Sequence, residues 1–399
     1  MQFTLTNPDI LFWFRIIVSV LAVCVYIWGI ITLTRSQMIP TEPKGWSNKD
    51  YDGLQLTRES LQSYMRTKGL GPETPMNQFS VATANFGGIF TEDGAVSPWI
   101  GTVNPNAARL QVEAGARAMV LDIWPDPANL QKPVVAAMRD IQKWTMHQHW
   151  FNLGLNKGVG RYSNWNRLTR NTAPAGAIMK AALKAAFYGK QGKQSTDPFF
   201  MILRLHGAMT KEYLNTLGSI VQEAIGPNAM GAEWNNCQNQ GQICSAPVSD
   251  FFSRVFLIVL PDIQSGYNSL PNINTYAAFT HAFLQTKLGG ITNAMEQLPN
   301  TMAFEPSGSA AITMANQPAC KPGMAQQTLA QMGFCLIQPS IGGSTTDNTV
   351  LYGSPTYQIC LQSGAQFAAV NYFSPNSNDS VLSSTLFNDY FGKYSFHKN

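Results

Sequence analysis

The stretch Gly115-Ala-Arg-Ala-Met-Val-Leu-Asp-Ile-Trp-Pro-Asp126 decides how the chain is read. Apolar residues run from Ala116 to Trp124 with only Arg117 and Asp122 between them. A short apolar run closed by turn residues reads as a strand buried on both faces, the pattern of a parallel sheet. A carboxylate near the end of such a strand is costly unless a partner meets it, so Asp122 is expected to point into a site. In a barrel of alternating strands and helices, that strand end is where chemistry sits.

Strand and helix patterns alternate from residue 77 onward. The expected strands are Phe79–Phe86, Ala118–Trp124, Pro133–Met138, Phe199–Leu205, Val255–Leu260, Ala310–Met314, Phe334–Gln338 and Gln366–Tyr372. Helical spacing places helices at Asn106–Ala114, Arg139–Phe151, Gly176–Tyr188, Lys211–Ile225, Tyr276–Met295, Met324–Met332 and Ser354–Ser363. Eight strands with intervening helices predict an α/β fold, a TIM-type (β/α)8 barrel over residues 77–399. A doubly wound open sheet is the alternative, but no glycine-rich phosphate loop follows any strand.

Ahead of the barrel, residues 16–34 carry no charge and are bracketed by Arg15 and Arg35. As a helix they would be roughly 28 Å long, close to the hydrocarbon core of a bilayer. No small-residue cleavage site precedes Arg35, so residues 1–35 read as a retained single-span anchor rather than a signal peptide. Arg15 on one side and Arg35, Lys44 and Lys49 on the other leave its orientation open. Residues 36–76 hold Pro40, Pro43, Pro72 and Pro75 around a short helical pattern, and read as a stalk.

Charged residues make up only 13% of the chain, about half the usual share, and Asn, Gln, Ser and Thr supply the polar surface. The net charge of +4 is spread without a basic run, which argues against nucleic acid as a partner. Cys237 and Cys244 share a polar loop at a spacing that fits a small disulfide, with buried free thiols the alternative. No CxxC pair exists, so no structural zinc site is expected.

The Gly115–Asp126 stretch resembles the second barrel strand of the phosphatidylinositol-specific phospholipase C X region, roughly G-C-R-C-V-E-L-D-x-W-D. Ser363-Gly-Ala-Gln-Phe-Ala-Ala-Val-Asn371 and Leu386-Phe-Asn-Asp-Tyr-Phe-Gly-Lys-Tyr-Ser-Phe-His-Lys398 resemble the close of its Y region. The resemblance implies a phosphodiesterase in which one histidine stabilises charge on the phosphate and another group relays protons. It also implies a calcium ion, held by an asparagine and carboxylates, that activates the inositol hydroxyl.

Most of that machinery is absent from the matching positions. The family's S-H-N-T is Thr83-Ala84-Asn85-Phe86 here, so Ala84 stands at the first histidine while Asn85 keeps the metal-ligand type. V-E-L-D becomes Met119-Val120-Leu121-Asp122, with Val120 at one calcium carboxylate and Asp122 at the other. P-V-V-Y-H-G becomes Pro133-Val-Val-Ala-Ala-Met138, placing Ala137 at the second histidine. L-x-L-E-N-H becomes Leu203-Arg-Leu-His206-Gly207, putting His206 at a further calcium carboxylate, and phosphate-holding lysines correspond to Val255 and Val259. Losing one positioned acid or base costs about 10²–10⁴ in rate, and a site with one carboxylate left binds calcium poorly.

The expectation is a pseudoenzyme with no catalytic residues, no resident metal or other cofactor, and a vestigial site of Asn85, Val120, Asp122 and His206. Its partners are then the lipid bilayer through residues 16–34 and neighbouring proteins in a membrane-associated assembly. The low charge and abundance of Asn, Gln and Thr fit a structural or minor capsid protein at the internal membrane of a virion. Two alternatives remain: a divergent phosphodiesterase using Asp122, Asn85 and His206 with calcium or another metal, and a module that binds a lipid headgroup without cleaving it. His147 and His149, two apart on an expected helix, face different ways and make a poor metal pair. Arg204 is read as structural, and Arg161–Arg170, with Tyr162 and Trp165, as an exposed loop.

Overall fold

The computed structural model describes residues 16–28, 58–91, 101–126, 128–140, 165–167, 169–188, 195–206, 210–230, 246–261, 282–283, 285–286, 301–304, 334–337, 366–373 and 389–398. Contacts divide the chain into two units, Met1–Pro40 and Thr41–Asn399. In the first, residues 16–28 are helical and their large apolar side chains are exposed. Among the described residues no helix is long and apolar enough to cross a membrane. Residues 29–34 of the expected span lie outside the described residues.

The second unit begins with α1 (Leu61–Lys68), β1 (Phe79–Asn85), β2 (Ile89–Thr91), β3 (Gly101–Val103), α2 (Pro105–Glu113), β4 (Ala118–Asp126) and β5 (Asn129–Val135). There follow β6 (Met138–Asp140), β7 (Trp165–Arg167), β8 (Ala173–Pro174), α3 (Ala175–Tyr188), β9 (Phe199–Leu205), α4 (Lys211–Ile225) and β10 (Val255–Pro261). The remaining strands are β11 (Ala282–Phe283), β12 (Gln285–Thr286), β13 (Thr301–Phe304), β14 (Phe334–Ile337), β15 (Phe367–Asn371) and β16 (Phe396–Lys398).

Nine of these strands pair in the order β11-β10-β9-β4-β1-β15-β14-β13-β12, and each pairing along that path is parallel. The two end strands, β11 and β12, are separated in the chain by residue 284 alone. Three antiparallel strands, β16 on β1, β5 on β4 and β8 on β5, make the sheet mixed.

β1, β4, β9, β10, β14 and β15 form where the apolar runs place them. The Pro133–Met138 run is a correction, because β5 ends at Val135 and turns straight back on β4 with Val134 opposite Trp124. Asp126 explains it: its Oδ1 accepts from Ala128 N at 2.9 Å, closing a turn. A parallel return needs a crossover of a dozen or more residues, and here only Pro127 and Ala128 separate the strands. The expected helix Tyr276–Met295 is a second correction, since β11 and β12 lie inside it, and β13 was not expected at all. The expected helix from Arg139 gives way at its start to β6, paired with β7. Strand Ala310–Met314, helices Met324–Met332 and Ser354–Ser363, and Cys237 and Cys244 lie outside the described residues.

Strand alternation sorts side chains onto two buried faces. Met119, Leu121, Met201, Leu203, Val255, Leu257 and Val259 pack against α2, α3 and α4. Val81, Val120, Phe200, Ile202, Phe256, Ile258 and Phe367 make the opposite core. The helices are locally specified. Asn104 caps α2 by accepting from Asn106 N ahead of Pro105 at the first turn, and Thr210 caps α4 by accepting from Tyr213 N.

The second half of the expected stalk belongs to this domain. Leu61, Tyr64 and Met65, spaced to share one helix face, are buried in the second core with Phe79 and Phe396. Ser60 caps α1 and Gly69 ends it at φ 65°.

Candidate functional site

Asn85 ends β1, Asp122 lies at the middle of β4 where its pairing with β9 nears its end, and His206 follows β9 directly. Asp122 and Arg204 are register partners on the adjacent parallel strands β4 and β9, so both side chains rise on the same face. His206, two residues beyond Arg204, shares that face.

There Arg204 Nε lies 2.9 Å from Asp122 Oδ1, with the two side chains only 3% and 0% exposed. Arg204 Nη2 donates to Asn85 Oδ1 at 3.2 Å. His206 Nε2 sits 2.8 Å from the same Asp122 Oδ1. Its ring stacks flat on Trp124, centroids 4.2 Å apart and planes 10° apart. The backbone N of His206 also donates to Ile123 O at 3.0 Å, which fixes where the imidazole starts. One carboxylate therefore holds a guanidinium and an imidazole, and the guanidinium also reaches the amide of Asn85. Asn85 Nδ2 and Asp122 Oδ2, both buried, make no hydrogen bond among the described residues.

The structure brings Asn85, Asp122 and His206 together, with Arg204 at their centre. Val120 lies one step deeper on the same strand face, fully buried in apolar core opposite Ile202. The two alanines are placed otherwise. Ala84 alternates with Asn85 along β1 and falls on the side of Phe86, which packs in the helix-side core. Ala137 likewise joins Val135 in that core, while Ala136 joins Val134 against Trp124. Val255 and Val259 also lie on the helix side. His147 and His149 lie outside the described residues. Of Arg161–Arg170, Trp165–Arg167 form β7 rather than a loop. Among the described residues no group of three or more His, Cys, Asp or Glu is placed to hold a metal ion.

The turn after Asn85 is tightly held. Phe86 has φ 51°, a left-handed conformation that costs a non-glycine residue energy. At Gly87 a Cβ would come within 2.5 Å of Met119 Cγ and 2.8 Å of Val120 O, so only glycine lets β1 and β4 approach here. Gln111 of α2 clamps the turn, accepting from Gly88 N at 3.0 Å and donating from Nε2 to Phe86 O at 3.2 Å. Gln111→Ala strands the buried Gly88 N, while Phe86 O keeps its bond from Ile89 N at 3.0 Å. It is expected to cost about 1–3 kcal/mol, read as a lowered thermal unfolding midpoint. A loss under about 0.5 kcal/mol would mean that the clamp carries no strain.

No protein-family model matches the chain, and no curated protein matches it. Solved structures do. L. pealei PLC21 aligns over 77% of this chain with a TM-score of 0.50 and 10% identity. The fold is phospholipase-C-like. S. officinalis PLC21 aligns at TM-score 0.48 and 12% identity, over 77% of this chain and 35% of its own. A calcium-dependent phosphoinositol-specific phospholipase C from Pseudomonas sp aligns at TM-score 0.44 and 11% identity, over 82% of this chain and 95% of its own. The chain spans 35% of the length of L. pealei PLC21. The phospholipase-C-like fold agrees with the resemblance carried by the Gly115–Asp126 stretch and the carboxyl-terminal segment, and at this identity it speaks for the fold alone.

Proposed function

We propose that this phospholipase-C-like domain is a closed eight-stranded barrel that hydrolyses no phosphodiester. In this reading it serves as a structural or docking component of a membrane-associated assembly such as a virion membrane. β11 and β12 act as one strand joining β10 to β13, which closes the sheet. Residues 16–34 supply the membrane tether, a reading supported by the exposed apolar face of residues 16–28.

One observation carries the loss of hydrolysis: the cation lying between Asn85 and Asp122 is the guanidinium of Arg204. A calcium ion takes six to eight oxygen ligands, typically with several carboxylates. Here the amide oxygen of Asn85 and one oxygen of Asp122 already serve Arg204, and His206 takes a second share of that same oxygen. The donor set does not fit calcium. Burial of the pair at 3% and 0% exposure makes expulsion of Arg204 costly, so the guanidinium competes permanently with any ion.

A second reading is favoured by the His206–Asp122 contact, because an oriented imidazole is the usual form of a general base. In that reading Arg204 balances phosphate charge and His206 accepts the proton of the attacking hydroxyl. The full-length chain incubated with vesicles containing phosphatidylinositol, with and without calcium, separates the two. The expected result is flotation with the vesicles and no phosphodiester turnover above that of Asp122→Ala. Turnover by the wild type that disappears in both Asp122→Ala and His206→Gln would overturn the non-hydrolytic reading.

A further inference from the structure

The carboxyl-terminal segment closes the end of the sheet opposite the Asp122 cluster. β16 pairs antiparallel with the start of β1, placing Phe79 opposite Lys398, Ser80 opposite His397 and Val81 opposite Phe396. Phe396 is fully buried in the core shared with Leu61, Tyr64 and Phe79. The same segment holds the chain entering the domain. Arg58 Nη1 donates to Gly392 O at 3.1 Å and Tyr394 O at 2.5 Å, and Glu59 pairs with Lys393. Lys398 N donates to the Tyr64 hydroxyl at 2.8 Å. One strand at the end of the chain thus fastens both β1 and α1.

His397 sits in the middle of that strand. Its ring lies against Tyr390, with centroids 4.2 Å apart and an interplanar angle of 32°, and 6.4 Å from the ring of Tyr64. Its Nδ1 is buried and has no hydrogen-bond partner among the described residues. The groups facing it are Ser80 from β1, Tyr64 and Lys68 from α1, Tyr390 from the preceding turn, and Lys398 beside it. Lys68 is the charged group acting on it, and its sign is the same as that of a protonated imidazole. A proton on this half-buried ring meets two aromatic walls and a nearby ammonium, with the Lys398 backbone alone favouring it.

We propose that β16 is a pH-sensitive strap. Protonation of His397 loosens it from β1 and releases its hold on residues 58–65.

Burial, and then Lys68, push the imidazole below its ordinary value of 6.5, while a backbone hydrogen bond at Lys398 opposes them. The sign follows from linkage. A base whose pKa is depressed when the strap is closed binds protons better when the strap is open. The closed state is therefore fully favoured above about pH 6.5 and loses ground as pH falls through the depressed value. Within that window opening gains up to about tenfold per pH unit. The inner core around Phe200 lacks this group and should not respond.

Hydrogen exchange of the full-length chain tests it, comparing wild type with His397→Phe, which keeps a ring but takes no proton. Exchange in the peptide spanning 389–398 is read against that in β9 at pH 7.5 and pH 5.5. The expected result is a several-fold rise in the wild-type to variant ratio for 389–398 on acidification, with β9 unchanged. Equal behaviour of wild type and variant, or an equal rise in β9, overturns the strap. Should His397→Phe fail to fold, the imidazole of the wild type is titrated by NMR. A midpoint below 6.5 supports the proposal, and one at or above 6.5 overturns it.

Discussion

Arg204→Met is expected to destabilise the domain by about 3–5 kcal/mol, because it leaves the Asp122 carboxylate in the interior without its guanidinium. For a domain of this size that corresponds to a fall in Tm of roughly 5 °C. The cost comes from the abandoned charge rather than from the lost attraction. Asp122 is fully buried, and among the described residues its Oδ2 makes no hydrogen bond and only His206 remains to hold Oδ1. The double variant Asp122→Leu/Arg204→Met separates these contributions. Apolar replacement of both members of a buried pair is often neutral or stabilising, so the double variant should unfold at a higher temperature than either single one. Calorimetric midpoints of the three variants check this. A single variant as stable as wild type would mean that the ion pair is not formed in solution.

Phe200→Ala is the second large effect, expected at about 3–5 kcal/mol. The ring is fully buried and lies among three other rings, with centroids 5.1 Å from Phe367, 5.7 Å from Phe256 and 6.1 Å from Phe251. β15, β9 and β10 and the turn before β10 each contribute one of these four rings, so a cavity at residue 200 touches the sheet on both sides of β4. The surrounding strands are tied by hydrogen bonds and cannot collapse into it, which puts the cost toward the upper end of the range. Phe200→Leu, which keeps most of the volume, should recover more than half of the loss in a denaturant titration.

Why some elements were legible in the sequence and others were not has physical reasons. β4, β9 and β10 read correctly because both of their faces are buried, so their apolar runs are nearly unbroken. β5 has the same kind of run, Pro133-Val-Val, yet belongs to a hairpin. The information lay in the two-residue link and in Asp126, not in the run itself. The segment holding β11 and β12 is rich in alanine, leucine and other helix formers, so its local preference points to helix. Pairing with Ile258 and Val259 on one side and Met302 and Ala303 on the other overrides that preference.

The site shows a similar split. Asp122 was recognisable because a lone carboxylate in an apolar strand demands a partner. Arg204 was undervalued because motif comparison attends to family positions, and its match there is an unspecified residue. Parity was the available signal: Arg204 and His206 are two apart and must share a face. The same parity takes Ala84 and Ala137 away from the cluster, which residue-by-residue matching cannot reveal.

The bridge between Glu59 and Tyr394 has a consequence of its own. It sets the segment before α1 beside the segment before β16, although the whole sheet lies between them in the chain. A covalent link between those two segments should take little freedom from the native state while removing much from the denatured chain. Mechanical pulling on the same two points, by contrast, loads Arg58, Glu59 and β16 before any parallel strand feels the force.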